Sequence, residues 1–275
     1  MRPCDQRNTT LAYFAMSTQS TNIFGIMGGM GPLASAEFLK TIYQFSSRDF
    51  EQELPIVFLI SDPTFVDRTQ ALLEGREETL IQQVNEGLLR LVGLNCTMIV
   101  ISCITVHHLL PKIQSQTSAH VRSLLDVIFE RVLTQSTEKY LIMCTSGTRY
   151  LNIFQRHEQW IRAKENLVFP DERDQLVIHQ SIYELKKGAS PANYLLLLDS
   201  LLKKYKVCGY VTACTELHML VKHVREVMPS VYLDIDPLMI VAEQLNDGSI
   251  WTKPTYSASV SVNRCLPGDK LTIEA

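Results

Sequence analysis

Two cysteines occupy positions where thiol chemistry is to be expected. Cys103 follows the apolar run Thr97–Ser102 and precedes a helix-period segment with Thr105 in its first turn, while Cys214 follows Val207–Ala213 and precedes Thr215 and Glu216. Both thiols are expected at strand ends and helix N-termini, where the helix dipole and unpaired N–H groups favour a thiolate and lower its pKa. Taken singly, each cysteine also reads as a small buried hydrophobe. As a matched pair they suggest proton transfer. Removing the α-proton of an amino acid and returning one to the opposite face needs two bases flanking one carbon, each able to be thiol or thiolate near neutral pH. The polar, Pro-containing loop Ser61–Thr69 follows a strand-like run and offers Arg68 as an anion-binding group. Its plainer reading is a solvated surface arginine.

A metal reading competes, because Cys103-x₃-His107 and Cys214-x₃-His218 repeat one spacing, and two such pairs could in principle build a Cys₂His₂ zinc site. Positions i and i+4 place each histidine one turn deeper than its cysteine, among Leu, Met and Val at helical spacing. Packed or hydrogen-bonded histidines are therefore expected, and no metal. Cys4, Cys96, Cys144, Cys208 and Cys265 read as structural or incidental.

The elements that must position these residues alternate. Apolar runs of the buried-strand type recur at 23–27, 56–60, 97–101, 140–143, 207–211 and 231–235. Between them lie helix-period segments at 34–46, 77–92, 105–113, 119–134, 174–187, 192–204 and 216–227. This alternation predicts an α/β fold with mostly parallel sheets covered on both faces. A weak internal repeat lays Ile26–Gly31 over Ile142–Gly147, and Ser102–Thr105 over Ala213–Glu216. Two pseudosymmetric α/β domains follow, with the site in the cleft between them, at the carboxyl ends of their strands. The expected divisions are an N-terminal extension over 1–21, a first domain over 22–118 plus 222–250, a second over 119–221, and a tail over 251–275.

Composition narrows the function class. Lys and Arg number 26 against 29 Asp and Glu, and no basic run exceeds a pair such as Lys203-Lys204, so the electrostatic footprint of a nucleic-acid binder is missing. No apolar run approaches the length that crosses a bilayer, and the six residues Leu11–Met16 are too few for a signal segment. Seven scattered cysteines without a Cys-x-x-Cys pair read as reduced, cytoplasmic usage. A small-molecule substrate is expected, with neither nucleic acid nor membrane as partner.

Several motifs together resemble the PLP-independent aspartate/glutamate racemases, within them the aspartate racemase branch. Gly25-Ile-Met-Gly-Gly-Met-Gly-Pro-Leu33 is similar to that branch's N-terminal signature, and Asp67-Arg68-Thr69 to the loop whose arginine holds the substrate carboxylate. Ile182-Tyr183 with Lys186-Lys187-Gly188 resembles a segment whose lysine assists carboxylate binding. Cys214-Thr215-Glu216-Leu217 matches the second cysteine motif, and Thr145-Ser146-Gly147-Thr148 the small-residue turn. The resemblance covers about 22–248. It implies a homodimer, a small carboxylate or amino-acid substrate, and no metal, PLP or nucleotide cofactor. It implies Cys103 and Cys214 as opposed acid/base catalysts, with Arg68 and Lys186 binding carboxylate. Backbone groups of the turn holding Gly29, Met30 and Gly31, with Thr105, Thr145, Gly147, Thr148 and Thr215, would hold the substrate and the carbanion formed from it. Glu216 would orient a cysteine or the substrate's ammonium group.

One position departs from the pattern. The family's first cysteine motif reads Cys-Asn-Thr-Ala-His, whereas this chain has Cys103-Ile104-Thr105-Val106-His107. Isoleucine can neither donate nor accept, and a lost hydrogen bond to a charged group costs roughly 1.5–3 kcal/mol. Ile104 would then mark a less polar or modified substrate, turned over by another isomerisation, a decarboxylation or a biosynthetic step in the same cleft. A binding protein that inherited the cleft is a third reading, which the intact cysteine pair argues against.

Overall fold

The computed structural model describes residues 22–256 apart from 47, 136 and 137. The expected extension over 1–21, Cys4, Cys265 and the part of the expected tail beyond residue 256 lie outside the described residues. The fold is α/β with two parallel sheets. In the first, β1 (Ile23–Gly28) lies between β2 (Ile56–Ser61) and β3 (Met98–Ile101). In the second, β4 (Tyr140–Cys144) lies between β5 (Leu167–Val168) and β6 (Gly209–Ala213), with β7 (Leu233–Ile235) beyond β6.

The helices are α1 (Pro32–Gln44), α2 (Arg68–Leu73), α3 (Glu77–Gly93), α4 (Ser115–Ser118), α5 (Leu124–Thr134) and α6 (Ser146–Tyr150). They continue with α7 (Trp160–Ala163), α8 (Glu172–Lys186), α9 (Leu195–Tyr205), α10 (Leu217–Val227) and α11 (Pro237–Asn246). Among the described residues no helix is long and apolar enough to cross a membrane.

The period-2 alternation of the strands sorts their side chains into three cores. Phe24 and Ile26 of β1, Val100 of β3, Tyr140 and Ile142 of β4 and Val211 of β6 share one central cluster with α5 and α11. Each sheet turns its other face to a cluster of its own: Met27, Ile99 and Ile101 pack with Leu80, Val84 and Leu88 of α3. Leu141, Met143 and Tyr210 pack with Ile178 and Ile182 of α8 and Leu198 of α9. The two sheets are therefore joined through a common core.

The repeat is visible in the topology. β3 pairs with β1 and β6 with β4, and β3 and β6 each run into a catalytic-candidate cysteine. Beyond β3, Val121 forms a parallel bridge with Ile99, occupying the place that β7 has beside β6. A capped helix follows each: Ser123 accepts from the N–H of Asp126 at the start of α5, and Asp236 from that of Leu238 at the start of α11.

Local details depart from expectation. The segment 222–250, expected with the first half, sends β7 into the second sheet, because a strand–helix–strand crossover from β6 through α10 lands parallel beside its own strand. Val121, expected in the second half, bridges to the first sheet. The helix expected at 105–113 is a 3₁₀ segment over Thr105–Lys112. Pro111 inside it has no N–H for the carbonyl four residues back. Helices α2, α4, α6, α7 and α11 and the short strand β5 were not expected.

Candidate active site

Two glycine-dependent approaches shape the cleft. Gly29 has φ +90°, and a Cβ there would lie 2.2 Å from the backbone nitrogen of Asp62, so glycine lets the turn after β1 press on the loop after β2. Gly147 admits Thr69, whose Oγ1 would be 2.5 Å from an added Cβ, so α2 of the first half lies against α6 of the second. Hydroxyls complete the seam. Thr105 Oγ1 is 3.0 Å from Thr148 Oγ1, and Thr215 Oγ1 donates to the Ser102 carbonyl at 3.2 Å.

Between the halves lies a small pocket bordered by Cys103 and Cys214 together with Arg68, Lys186 and Glu216. Met30, Ile104, Thr105, Thr145 and Thr215 also border it. Thr148 stands behind Thr105 and Thr145, hydrogen-bonded to both hydroxyls.

Arg68 is 9% exposed, contrary to its reading as a surface arginine. Asp67 caps α2 by accepting the Gln70 N–H at 2.9 Å, which fixes the backbone at the helix's first residue, Arg68. The guanidinium donates to the carbonyls of Met30 and Val66. Burial opposes its charge, but Cys103, Asp67 and Glu216 outweigh burial and hold it above the ordinary arginine value. Burial likewise opposes the Lys186 ammonium, and the neighbouring Cys214 and Glu216 more than offset it. The ammonium lies 4.2 Å from the centre of the Tyr183 ring, whose hydroxyl donates to Asp67 at 2.9 Å. Tyr183 thus contacts the mountings of both cations. Asp67, Thr69 and Tyr183 stand in motifs quoted from the sequence but were given no role there, although the capping position of Asp67 before a helix start is a readable signal.

The cysteines differ in their partners. Cys214 Sγ donates to Glu216 Oε2 at 2.9 Å, and burial with this carboxylate beside it pushes the thiol well above its ordinary value. This corrects the expectation of a thiol acidified by a helix N-terminus: α10 begins only at Leu217, and desolvation dominates. Cys103 instead faces the Arg68 guanidinium.

The histidines of the two Cys-x₃-His spacings are spent on structure. His107 Nδ1 donates to the Cys103 carbonyl at 2.9 Å, and its Nε2 accepts the Leu124 N–H at 3.0 Å. Burial lowers its pKa to about 4, so the ring is neutral and ties the catalytic-candidate loop to α5. His218 bonds Asp236 at 2.5 Å and Thr41 at 2.8 Å. Among the described residues, no group of three or more His, Cys, Asp or Glu is placed to hold a metal ion.

Four expected binding groups do not border the pocket: Thr148 stands behind it, Gly147 packs on Thr69, and Gly29 and Gly31 fall elsewhere. The Gly29 N–H is taken by Ser35 Oγ at 3.0 Å, because the turn folds back on the first turn of α1. Gly31 meets the site indirectly, as the neighbour of Glu216. Ile104 borders the pocket but is 1% exposed and belongs to the central apolar cluster.

Comparison with known proteins agrees with this arrangement. A family model described as Asp/Glu/hydantoin racemase matches residues 27–245. The chain is similar in structure to Picrophilus torridus aspartate racemase, with 22% identity, a TM-score of 0.70, and 83% of this chain and 94% of that one covered. It is similar to an aspartate racemase homologue from Pyrococcus horikoshii OT3 at 20% identity, TM-score 0.61, covering 84% and 99%. An allantoin racemase from Klebsiella pneumoniae shares 11% identity at a TM-score of 0.56, covering 90% and 97%. These likenesses show a common fold.

Proposed function

The chain belongs to the Asp/Glu/hydantoin racemase family and is an isomerase of the racemase type, and from that premise we propose that it racemises or epimerises an acidic amino acid, aspartate or a close analogue. Cys103 and Cys214 act as opposed acid and base. The observation that carries this reading is one small interdomain pocket bordered by two thiols and two cations, the buried Arg68 and the half-buried Lys186. Two cations suit two carboxylates, and two thiols suit proton traffic on both faces of the carbon between them.

In the mechanism, Arg68 and Lys186 fix the substrate's carboxylates and place its α-carbon between the sulfurs. The thiolate member of the pair removes the α-proton while the thiol on the opposite face delivers one. The burial and carboxylate contact that keep Cys214 protonated suit it to be the delivering acid from the resting state. Loss of the α-proton pushes charge onto the carboxylate, giving an enediolate-like carbanion. The fixed cations stabilise that charge without reorganising.

The test is solvent-deuterium wash-in at the α-carbon across a panel of acidic amino acids, followed by NMR. Exchange with inversion of aspartate or a close analogue is expected. Exchange in none of them, with turnover of a substrate lacking an acidic side chain, would overturn the reading.

A further inference from the structure

Along one stripe of α8, His179, Tyr183 and Lys186 follow at helical spacing, so their side chains stand one above another. The His179 and Tyr183 ring centres are 4.5 Å apart, and the Lys186 ammonium is 4.2 Å from the centre of the Tyr183 ring. Lys186 borders the pocket. His179 does not; it reaches the start of α6 instead, where its Nδ1 accepts the Ser146 N–H at 3.1 Å.

Ser146 opens α6, and Thr145 before it, which caps that helix by accepting the Thr148 N–H, borders the pocket. The first N–H groups of a helix have no partner within it, and His179 supplies one. The stripe therefore joins three pieces of the pocket: the Thr145 turn through His179, the Lys186 ammonium through the Tyr183 ring, and the turn carrying Arg68 through the Tyr183 hydroxyl on Asp67. Accepting at Nδ1 puts the single proton of the neutral ring on Nε2. A second proton would sit on Nδ1 and face the Ser146 N–H, donor against donor. Burial and the Lys186 charge oppose that proton and Asp67 favours it, which together hold the ring below the ordinary histidine value and neutral.

We propose that His179 is a positioning residue for the reaction: its neutral, Nδ1-accepting ring holds the Thr145 turn and Lys186 in register, and its protonation releases them. The proposal rests on the acidic-amino-acid reading and adds to it a group that touches no substrate and sets carboxylate binding from behind the cation. The charged groups that act on the ring are Lys186 of its own helix and Asp67 before α2, and from α6 it meets the uncharged Ser146. A charged ring would also repel the ammonium it helps to seat. As pH falls through the His179 pKa, KM for the dicarboxylate therefore rises.

Racemisation of aspartate by the full chain, followed from about pH 5 to about pH 8, tests this in wild type and two variants. His179→Phe keeps a ring against Tyr183 and loses the acceptor; His179→Asn keeps an acceptor and loses the titration. At neutral pH the Phe variant should lose about tenfold in kcat/KM, chiefly through KM, and the Asn variant at most about threefold. Wild-type kcat/KM should fall as pH drops through the His179 pKa, and both variants should lack this acid limb. Amide hydrogen exchange, which needs no activity, should find the Ser146 N–H protected in wild type and in the Asn variant and exposed in the Phe variant. Equal losses in the two variants, or acid limbs parallel to that of wild type, would overturn the inference and leave the proposed function standing. So would a Ser146 amide indifferent to His179→Phe. No wild-type racemisation of aspartate or a close analogue would overturn the function and this inference with it, whatever the amide shows.

Discussion

Cys214 borders the pocket beside a carboxylate and Cys103 beside a guanidinium, so the two thiols are not interchangeable. Serine's hydroxyl is far too weak an acid to replace either. Cys103→Ser and Cys214→Ser should each abolish racemisation, measured by chiral chromatography, while exchange on the face of the surviving cysteine persists in one or both. Full racemisation in either variant would assign the base elsewhere. Ile104 was legible in the sequence as a departure, but its packing was not. A side chain 1% exposed in the central cluster is held there by apolar neighbours, whichever substrate the pocket takes. Ile104→Asn should therefore destabilise the fold by about 1–3 kcal/mol, the cost of burying an unpaired amide, without raising kcat/KM for aspartate. Denaturant unfolding and aspartate kinetics check both halves; a gain of about tenfold in kcat/KM would show that the position is limited by a missing hydrogen bond. Both cysteines were readable because thiols stand out at strand ends, and Arg68 as a charge in the polar loop after a strand; Lys186, at the end of α8, was readable only through the family resemblance. The acceptor that His179 offers Ser146 depends on where α6 lies in space, which no spacing reveals.

At the scale of elements, α2 and α8 meet through one hydroxyl, that of Tyr183 on Asp67. Tyr183→Phe keeps the ring beneath Lys186 and removes this bond, loosening the turn that carries Arg68. A three- to tenfold fall in kcat/KM is expected, about the worth of one hydrogen bond, appearing mainly as a higher KM. Unchanged steady-state kinetics would show that α2 is held by its own cap and by Gly147 alone. The His107 link between the Cys103 loop and α5 makes a pH prediction. Its pKa falls from 6.5 to about 4 on burial. Between those values the unfolded chain binds a proton that the folded chain refuses, so stability is lost as pH falls through that window. The change amounts to about 3 kcal/mol. Denaturant unfolding at a series of pH values should give a flatter profile for His107→Gln than for wild type; parallel profiles would contradict the buried neutral ring. Strands were legible as continuous apolar runs buried on both faces, and amphipathic helices such as α3 because one face is polar. Helix α11 was not, because Pro237–Ala242 and Leu245 are all buried, leaving little polar face to set a period. Helix α2 was hidden by its length, since six residues hold too few turns to show one.

For the whole molecule, the central cluster means that neither sheet has an independent core on its inner face. Phe129 of α5 is fully buried in that cluster, stacked on His157 at 4.2 Å. Phe129→Ala should cost about 3–5 kcal/mol. Hydrogen exchange in β1 and β4 should weaken together; loss of protection in β4 alone would mean that the halves unfold separately. The repeat behind this arrangement was legible in two short alignments of the sequence, because small residues at strand ends and a cysteine before a helix recur in each half. The placing of β7 was not, since nothing in an apolar run names the strand beside which it will lie. What the two halves accomplish together is to set one thiol from each on a single pocket. The direct test is racemisation of one aspartate enantiomer in deuterium oxide, stopped early, with the isotope content of product and residual substrate measured separately by mass spectrometry. Two opposed bases predict deuterium at the α-carbon of the product and almost none in the recovered substrate, from either enantiomer. Deuterium entering recovered substrate as fast as product would show that one base serves both faces, and would contradict the account.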